Sequence, residues 1–107
     1  MLAKAAKQAS EKLGLPSSAF ALVLGTSPEV AAIIKSGGEG VDPEDPVWDS
    51  ALKLVQIYLA LTALLGSAEL VAEWMQSPNK GLNGRPITLM DSPAGVAAIR
   101  SYLDRFI

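Results

Sequence analysis

The side chains that most often carry acid–base, nucleophilic or metal chemistry are sparse in this sequence. Its 107 residues include no Cys and no His, which excludes a disulfide, a Cys/His zinc site, a thiol nucleophile and an imidazole base. Serine and threonine therefore have no histidine partner, and the carboxylates fall at expected helix caps or on polar helix faces. The pattern predicts no catalytic residue, no metal site and no cofactor, and it favours a binding module over an enzyme.

Two short segments have a composition that could suggest a ligand. Residues 39–45 read EGVDPED, but they lack the ligand alternation, the glycine and the distal Glu of a calcium loop. We interpret their acids as helix caps in a solvated turn. Lys35-Ser36-Gly37-Gly38 has residue types of a phosphate-binding loop in the wrong order and context. Neither segment is expected to bind a ligand.

The overall composition indicates a small helical protein. Half of the residues are hydrophobic and the net charge is -2, so nothing attracts nucleic acid non-specifically. The longest apolar run, around Leu54–Leu65, contains Gln56 and Thr62 and is shorter than the roughly 20 residues of a membrane span. The amino terminus does not resemble a secretory signal. We expect a cytoplasmic protein with no membrane partner, built as one domain or as two lobes that share a core.

Hydrophobic spacing and punctuating Gly and Pro residues predict an all-α fold with N-terminal helix-turn-helix-like helices, a long central helix and a C-terminal helical subdomain. The expected helices cover residues 3–13, 17–24, 29–35 and 47–65, then one begins after Ser67 and one after Ser92. Their expected inward residues include Leu70, Val71, Trp74 and Met75, and then Val96, Ile99, Leu103 and Phe106. We place the boundary between the two regions at 66/67.

The second and third helices have the spacing of a helix-turn-helix. DNA-reading helices carry Arg, Lys, Asn or Gln on their outer face. Here the third helix offers Glu29 and Ala32 at those positions, and Lys35 is its single basic residue. The sequence therefore favours a helix-turn-helix that packs within the protein as a scaffold over one that recognises DNA bases. DNA binding is expected to be weak.

The long helix is apolar around nearly its whole circumference. Such a helix is buried on more than one side. The sequence favours a homodimer over a helix surrounded by its own chain, because a short chain has little material to wrap it. The expected dimerisation residues are Trp48, Leu52, Val55, Tyr58 and Leu59.

The segment from Trp74 to Leu89 has a constrained order of residue types. A helix carrying Trp74 is stopped by Pro78, Asn79 and two glycines shape a tight connection, and Pro86 starts a new helical turn. Ser92-Pro93 and Gly95 then open the last helix. This segment, through residue 107, resembles the toxin-binding domain of the Xre/MbcA/ParS family of bacterial antitoxins. The residues that match the family pattern are Trp74, Pro78, Asn79, Leu82, Gly84, Pro86, Leu89 and Gly95.

The resemblance implies that residues 1–66 form a helix-turn-helix-like dimerisation region and residues 67–107 the toxin-binding domain. Members of the family pair with RES-domain toxins, which consume NAD or use it to modify proteins. The antitoxin covers the toxin and obstructs its nucleotide pocket, and many members also bind their own promoter. The runner-up function is therefore a helix-turn-helix repressor or scaffold whose ligand is DNA. For toxin contact we expect the polar and basic residues Asn79, Lys80, Asn83, Arg85, Arg100 and Arg105.

Overall fold

The computed structural model describes residues 2–105, and the expected inward position of Phe106 lies outside them. The described residues form α1 (Leu2–Lys12), α2 (Ser17–Leu24), α3 (Pro28–Lys35), α4 (Val47–Leu65), α5 (Ala68–Gln76) and α6 (Pro93–Leu103). Two 3-10 turns, Lys80–Leu82 and Pro86–Leu89, connect α5 to α6. Helices account for 70% of the structure and no strand occurs among the described residues, which confirms the all-α fold.

Local signals in the sequence set the helix ends. The hydroxyl oxygens of Ser27, Ser67 and Ser92 each accept a hydrogen bond from the backbone N–H three residues later. These bonds satisfy donors that the first turn of a helix leaves without an intrahelical partner. At the carboxyl end of α2, Gly25 has φ 67° and lies so near Pro93 that a Cβ atom would be 2.6 Å from the ring Cγ. This glycine therefore ends α2 and brings it against the start of α6.

Helix α4 is the centre of the fold. It packs against α1 and α6 most extensively, and also against α2 and α5. One face is buried, formed by Val47, Ser50, Ala51, Leu54, Ile57 and Leu61. The opposite face is open, since Leu52 and Leu59 are 44% and 58% exposed. The other helices of the chain therefore cover one side of α4 and leave Leu52 and Leu59 at the surface.

The length and mean hydropathy of α4, 1.3, would also suit a membrane span, and the bent pair α2 and α3 passes the same test together. In the globule the buried residues of α4 belong to one core cluster that includes Phe20, Ile34, Met75 and Ile99. A core helix accounts for the same composition.

The structure corrects the expected inward face of α5. Val71 and Met75 are fully buried, as expected. Leu70 is instead 46% exposed, and Trp74 is half-buried at the edge of the core. In α6, Val96, Ile99 and Leu103 are buried, which confirms that stripe. Helix α5 therefore covers the core with only part of its apolar surface and leaves the rest at the protein surface.

Helices α2 and α3 have the shape of a helix-turn-helix. They are joined by three residues and bend by 99° relative to one another, within the range of 90–120° usual for the motif. Both helices also contact α1 or α4, so the pair is part of the common core.

Candidate protein-binding surface

The connection between α5 and α6 is closed by backbone hydrogen bonds at its base. The amide of Asn79 donates to the carbonyl oxygen of Gly84 over 2.9 Å, and the amide of Gly84 donates back over 3.1 Å. Inside this pair, the Asn79 side-chain Oδ1 accepts from the Gly81 amide at 2.9 Å. Asn83 adopts the left-handed conformation, with φ 59°, which Asn tolerates better than most residues. The segment Asn79–Gly84, hereafter the tip loop, is thus held in one shape.

A close contact with α6 holds the tip loop against the body of the protein. A Cβ atom built on Gly81 would lie 2.4 Å from Cε1 of Tyr102. Only glycine permits this approach of the aromatic ring to the backbone. Leu82 is half-buried against the core, and the nearby Pro86 is buried. The loop therefore offers a preorganised surface, which reduces the ordering cost of binding.

Gly95 has a separate steric role in α6. A Cβ atom at this position would lie 1.8 Å from the carbonyl oxygen of Leu89. The Gly95 amide donates to the Ser92 hydroxyl oxygen at 3.0 Å, so the first turn of α6 is packed directly on the preceding 3-10 turn. The spacing of Ser92, Pro93 and Gly95 is explained by this close packing.

The expected contact residues of the tip loop lie at the surface. Lys80, Asn83 and Arg85 are exposed, whereas Asn79 is half-buried by its role in closing the loop. Nη1 of Arg85 donates to Oε1 of Gln76 at 3.3 Å. Because this hydrogen bond is exposed to solvent, Arg85 can replace it with a hydrogen bond to a partner protein at a small cost in free energy. Lys80 and Arg85 thus present positive charge beside an ordered loop.

The two arginines at the carboxyl end of α6 differ from one another. Arg105 is exposed. Arg100 is half-buried, its Nε donates to Oε1 of Gln56 at 3.2 Å, and its guanidinium pairs with Asp104. The ion pair with Asp104 is local to the end of α6, whereas the bond to Gln56 ties α6 to α4. To contact a partner protein, the Arg100 side chain would have to break its bonds to Gln56 and Asp104.

An apolar cleft between α4, α5 and α6 was missed by sequence reasoning. Its main part, about 380 Å³, is lined by Leu61, Leu64, Leu65, Trp74, Tyr102 and Leu103. Leu70 and Glu73 line a second depression that shares Leu65 and Trp74 with the first. The signal in the sequence was the excess of apolar residues in α5, which a nine-residue helix covering one core face does not require.

The outer face of α3 lacks the chemistry of a DNA reader. Glu29, Ala32 and Ile33 are exposed. Nζ of Lys35 lies 5.3 Å from the centroid of the Phe20 ring, a cation–π distance that occupies the single basic residue of this helix. Helices α2 and α3 thus have the shape of a helix-turn-helix, but α3 does not present a basic outer face that could contact DNA.

The expected dimerisation residues divide into two groups. Leu52 and Leu59 are exposed, whereas Val55 and Tyr58 are half-buried against the core. Trp48 is also half-buried, and its Nε1 donates to the carbonyl oxygen of Asp42 at 2.9 Å. The outward surface of α4 is therefore narrower than the sequence suggested, and Leu52 and Leu59 dominate it.

The acidic segment of residues 39–45 is held by hydrogen bonds to its own carboxylates. Oδ1 of Asp42 accepts from the Glu44 amide, and Oδ1 of Asp45 accepts from the Val47 amide, both at 2.9 Å. The interpretation of these acids as local turn formers is confirmed for Asp42 and Asp45. Within residues 2–105, no group of three or more Asp or Glu side chains is placed to hold a metal ion.

Comparison with known protein families agrees with this arrangement of α5, tip loop and α6. Residues 60–106 match the family model of the antitoxin Xre/MbcA/ParS C-terminal toxin-binding domain. Residues 60–106 are thus similar to a protein-binding domain, the C-terminal toxin-binding domain of Xre/MbcA/ParS antitoxins. The match confirms the resemblance and begins within α4, so the last helical turns of α4 belong to the matched segment. No curated protein was found to match the chain.

Proposed function

We propose that this protein is a cytoplasmic antitoxin that neutralises a RES-domain toxin by binding it and blocking its nucleotide pocket. The observation that carries the proposal is the match of residues 60–106 to a toxin-binding domain. An ordered tip loop with exposed Lys80 and Arg85 lies within that segment. RES-domain toxins act on NAD, so their pockets must accommodate a nucleotide, and a rigid plug with planar donors suits such a pocket.

The neutralisation is stoichiometric rather than catalytic. The protein has no histidine or cysteine, and the matched domain binds a protein. Each antitoxin chain therefore inactivates a fixed number of toxin molecules, and inhibition follows the binding equilibrium.

The test is titration of a purified cognate RES-domain toxin with this protein, with NAD consumption as the readout. We expect inhibition that is complete at a fixed molar ratio. Undiminished consumption of NAD at excess antitoxin would refute the proposal. Co-expression in cells gives a second readout, because the wild-type chain should restore growth.

A double variant locates the contact surface. Lys80→Ala with Arg85→Ala removes two exposed cations from the matched domain, and we expect the affinity for the toxin to fall by about 30-fold or more if they are central contacts. The matched control is Lys4→Ala with Lys12→Ala, which removes two exposed cations from α1. Both variants should retain wild-type helicity by circular dichroism. Equal affinities of the two variants would place the contact elsewhere, with Arg105 as the next residue to test.

We also propose that the chain is a homodimer through the outward face of α4. Leu52 and Leu59 lie on this face one above the other, two helical turns apart, and both are about half-exposed. Two large aliphatic side chains aligned on one exposed face are unfavourable for a monomer in water, because their apolar surface stays hydrated. The proposed interface leaves the tip loop free for the toxin.

A second candidate function is repression of the protein's own promoter. The observation in its favour is the 99° bend between α2 and α3. Its reading helix lacks a basic outer face, so we place DNA binding second and expect it to be weak. Measuring binding to the promoter at physiological salt distinguishes the two, because nanomolar affinity of the chain alone would favour the repressor.

A further inference from the structure

We propose that the apolar cleft between α4, α5 and α6 receives an apolar side-chain cluster of the toxin, on a segment flanked by basic residues. This inference rests on the proposed function and deepens it. The tip loop would supply polar contacts, and the cleft would supply most of the desolvated area.

The cleft is bounded by aliphatic side chains that the fold leaves uncovered. Leu64, near the end of α4, and Leu70, in the first turns of α5, are each 46% exposed. Between them lie Leu65 and Trp74, which are shared by both depressions of the cleft. Contiguous apolar surface with an aromatic wall is typical of the central part of a protein interface.

The volume of the cleft suits a side chain of a partner. Its two parts measure about 380 Å³ and 220 Å³. A dry cavity of roughly 150 Å³ already holds benzene. One or two aliphatic or aromatic side chains can therefore enter the cleft, as an anchor residue does in a hot spot.

The position of the cleft assigns it to the toxin rather than to a second copy. Every lining residue of both parts falls within the segment that matches the toxin-binding domain. The proposed dimer residue Leu59 precedes that segment and lies five residues before Leu64. That spacing separates the two side chains by about 140° around α4. A dimer formed through Leu52 and Leu59 would leave the cleft open.

The charge at the rim gives the chemistry of the occupant. Glu73 lines the second depression, and among the described residues that line either part there is no Lys or Arg. Glu69 lies one helical turn before Glu73 on the exposed side of α5. An apolar cluster flanked by Lys or Arg complements this rim, and a partner with flanking acids is disfavoured.

The experiment measures, by calorimetry, the affinity of this protein for a purified cognate RES-domain toxin. Leu64→Glu and Leu70→Glu place a charge on partly exposed positions, so the fold should persist, which circular dichroism checks. We expect each Glu variant to weaken toxin binding by at least 30-fold. Leu70→Met keeps an apolar side chain at this position and should retain most of the wild-type affinity. The matched control is Leu22→Glu on α2, which is 53% exposed and lies outside the matched segment. It should bind as the wild type does.

The rim is tested by association kinetics. Glu73→Lys should slow association at low salt and leave the dissociation rate nearly unchanged, as expected for a charge at the edge of an interface. A spectroscopic readout is available from Trp74 in a Trp48→Phe background. Its emission should shift to shorter wavelength when the toxin covers the cleft.

The outcomes separate the cleft from the proposed function. If the wild type and both cleft variants bind the toxin equally, the cleft assignment is overturned and the antitoxin function stands. If the wild type itself fails to bind, both fall. If Leu64→Glu instead converts a dimer to a monomer by light scattering, the cleft belongs to a second copy and the inference is likewise overturned.

Discussion

The helix-turn-helix of α2 and α3 and the matched segment at the carboxyl end differ in whether their surface residues suit the binding that their backbone shape suggests. Helices α2 and α3 have the bend of a helix-turn-helix, yet the outer face of α3 carries Glu29, Ala32 and Ile33. In the matched segment, by contrast, a rigid tip loop with exposed Lys80, followed directly by exposed Arg85, lies beside an apolar cleft. The comparison teaches that a backbone motif identifies a fold, whereas binding depends on the side chains that the motif presents.

The largest expected effect concerns the packing that shapes the matched segment. Gly95→Ala places a Cβ atom against the carbonyl oxygen of Leu89, so the 3-10 turn and α6 must separate. We expect a loss of about 3 kcal/mol in the free energy of unfolding, measured by urea denaturation. The control is Gly14→Ala, where a Cβ atom meets nothing within 4 Å but φ is +84°. It should cost about 1 kcal/mol through backbone strain alone. Equal costs at the two sites would contradict the packing explanation.

The next effect concerns the outward face of α4. Leu59→Glu should convert the proposed dimer into a monomer, because a charge would be buried in the interface. We expect a loss of at least 2 kcal/mol in dimerisation free energy, measured by light scattering over a dilution series. Leu22→Glu, equally exposed but on α2, serves as the control and should remain dimeric. A wild-type chain that is already an 11.2 kDa monomer at micromolar concentration would refute the dimer.

A smaller effect would sharpen the contrast between shape and chemistry in α3. The wild-type chain should bind promoter DNA weakly, with a shallow dependence on salt. Replacing Glu29 with Lys and Ala32 with Arg supplies the missing cations on the exposed face. We expect the slope of log affinity against log salt to steepen by about 0.9 for each new phosphate contact, measured by fluorescence anisotropy. An unchanged slope would mean that this face does not approach DNA even when its charge permits it.

The smallest effect concerns Arg100, which pairs with Asp104 at the end of α6 and ties α6 to α4 through its hydrogen bond to Gln56. Arg100→Ala removes bonds to both Asp104 and Gln56, and we expect it to cost about 1 kcal/mol of stability. The comparison pair is Lys53 with Asp49, which lies within α4 alone. Lys53→Ala should cost about 0.3 kcal/mol. Thermal or urea unfolding measures both, and equal costs would show that the bridge between helices adds nothing.

Much of the fold was predictable because its signals are local. Helix ends depend on residues a few positions apart, and the helix starts at Ser67 and Ser92 were readable from the sequence. The helical stripe of α6 was likewise readable, since Val96, Ile99 and Leu103 repeat at helical spacing. The tip loop was predicted as a tight connection because the prolines restrict the backbone, whereas Asn79 and the glycines tolerate the conformations that a tight turn requires.

Other features of the candidate surface depended on distant parts of the chain. Leu70 was expected inside and is exposed, because the core face of α5 needs only Val71 and Met75 once α1 and α4 are in place. The bond between Arg100 and Gln56 joins residues 44 positions apart. No periodicity within either helix predicts such a partner.

Residue identities and local spacing were enough to predict the helices, the absence of thiol and imidazole chemistry, and the resemblance of the carboxyl-terminal segment to an antitoxin domain. Each of these depends on residue identity or on spacing within a few turns. Only the tertiary structure decided which apolar residues remain at the surface. Their exposure depends on how much of each helix its neighbours cover, and that is a property of the packed arrangement of α4, α5 and α6. The cleft exists because these three helices meet at angles that leave Leu64, Leu70 and Trp74 incompletely covered.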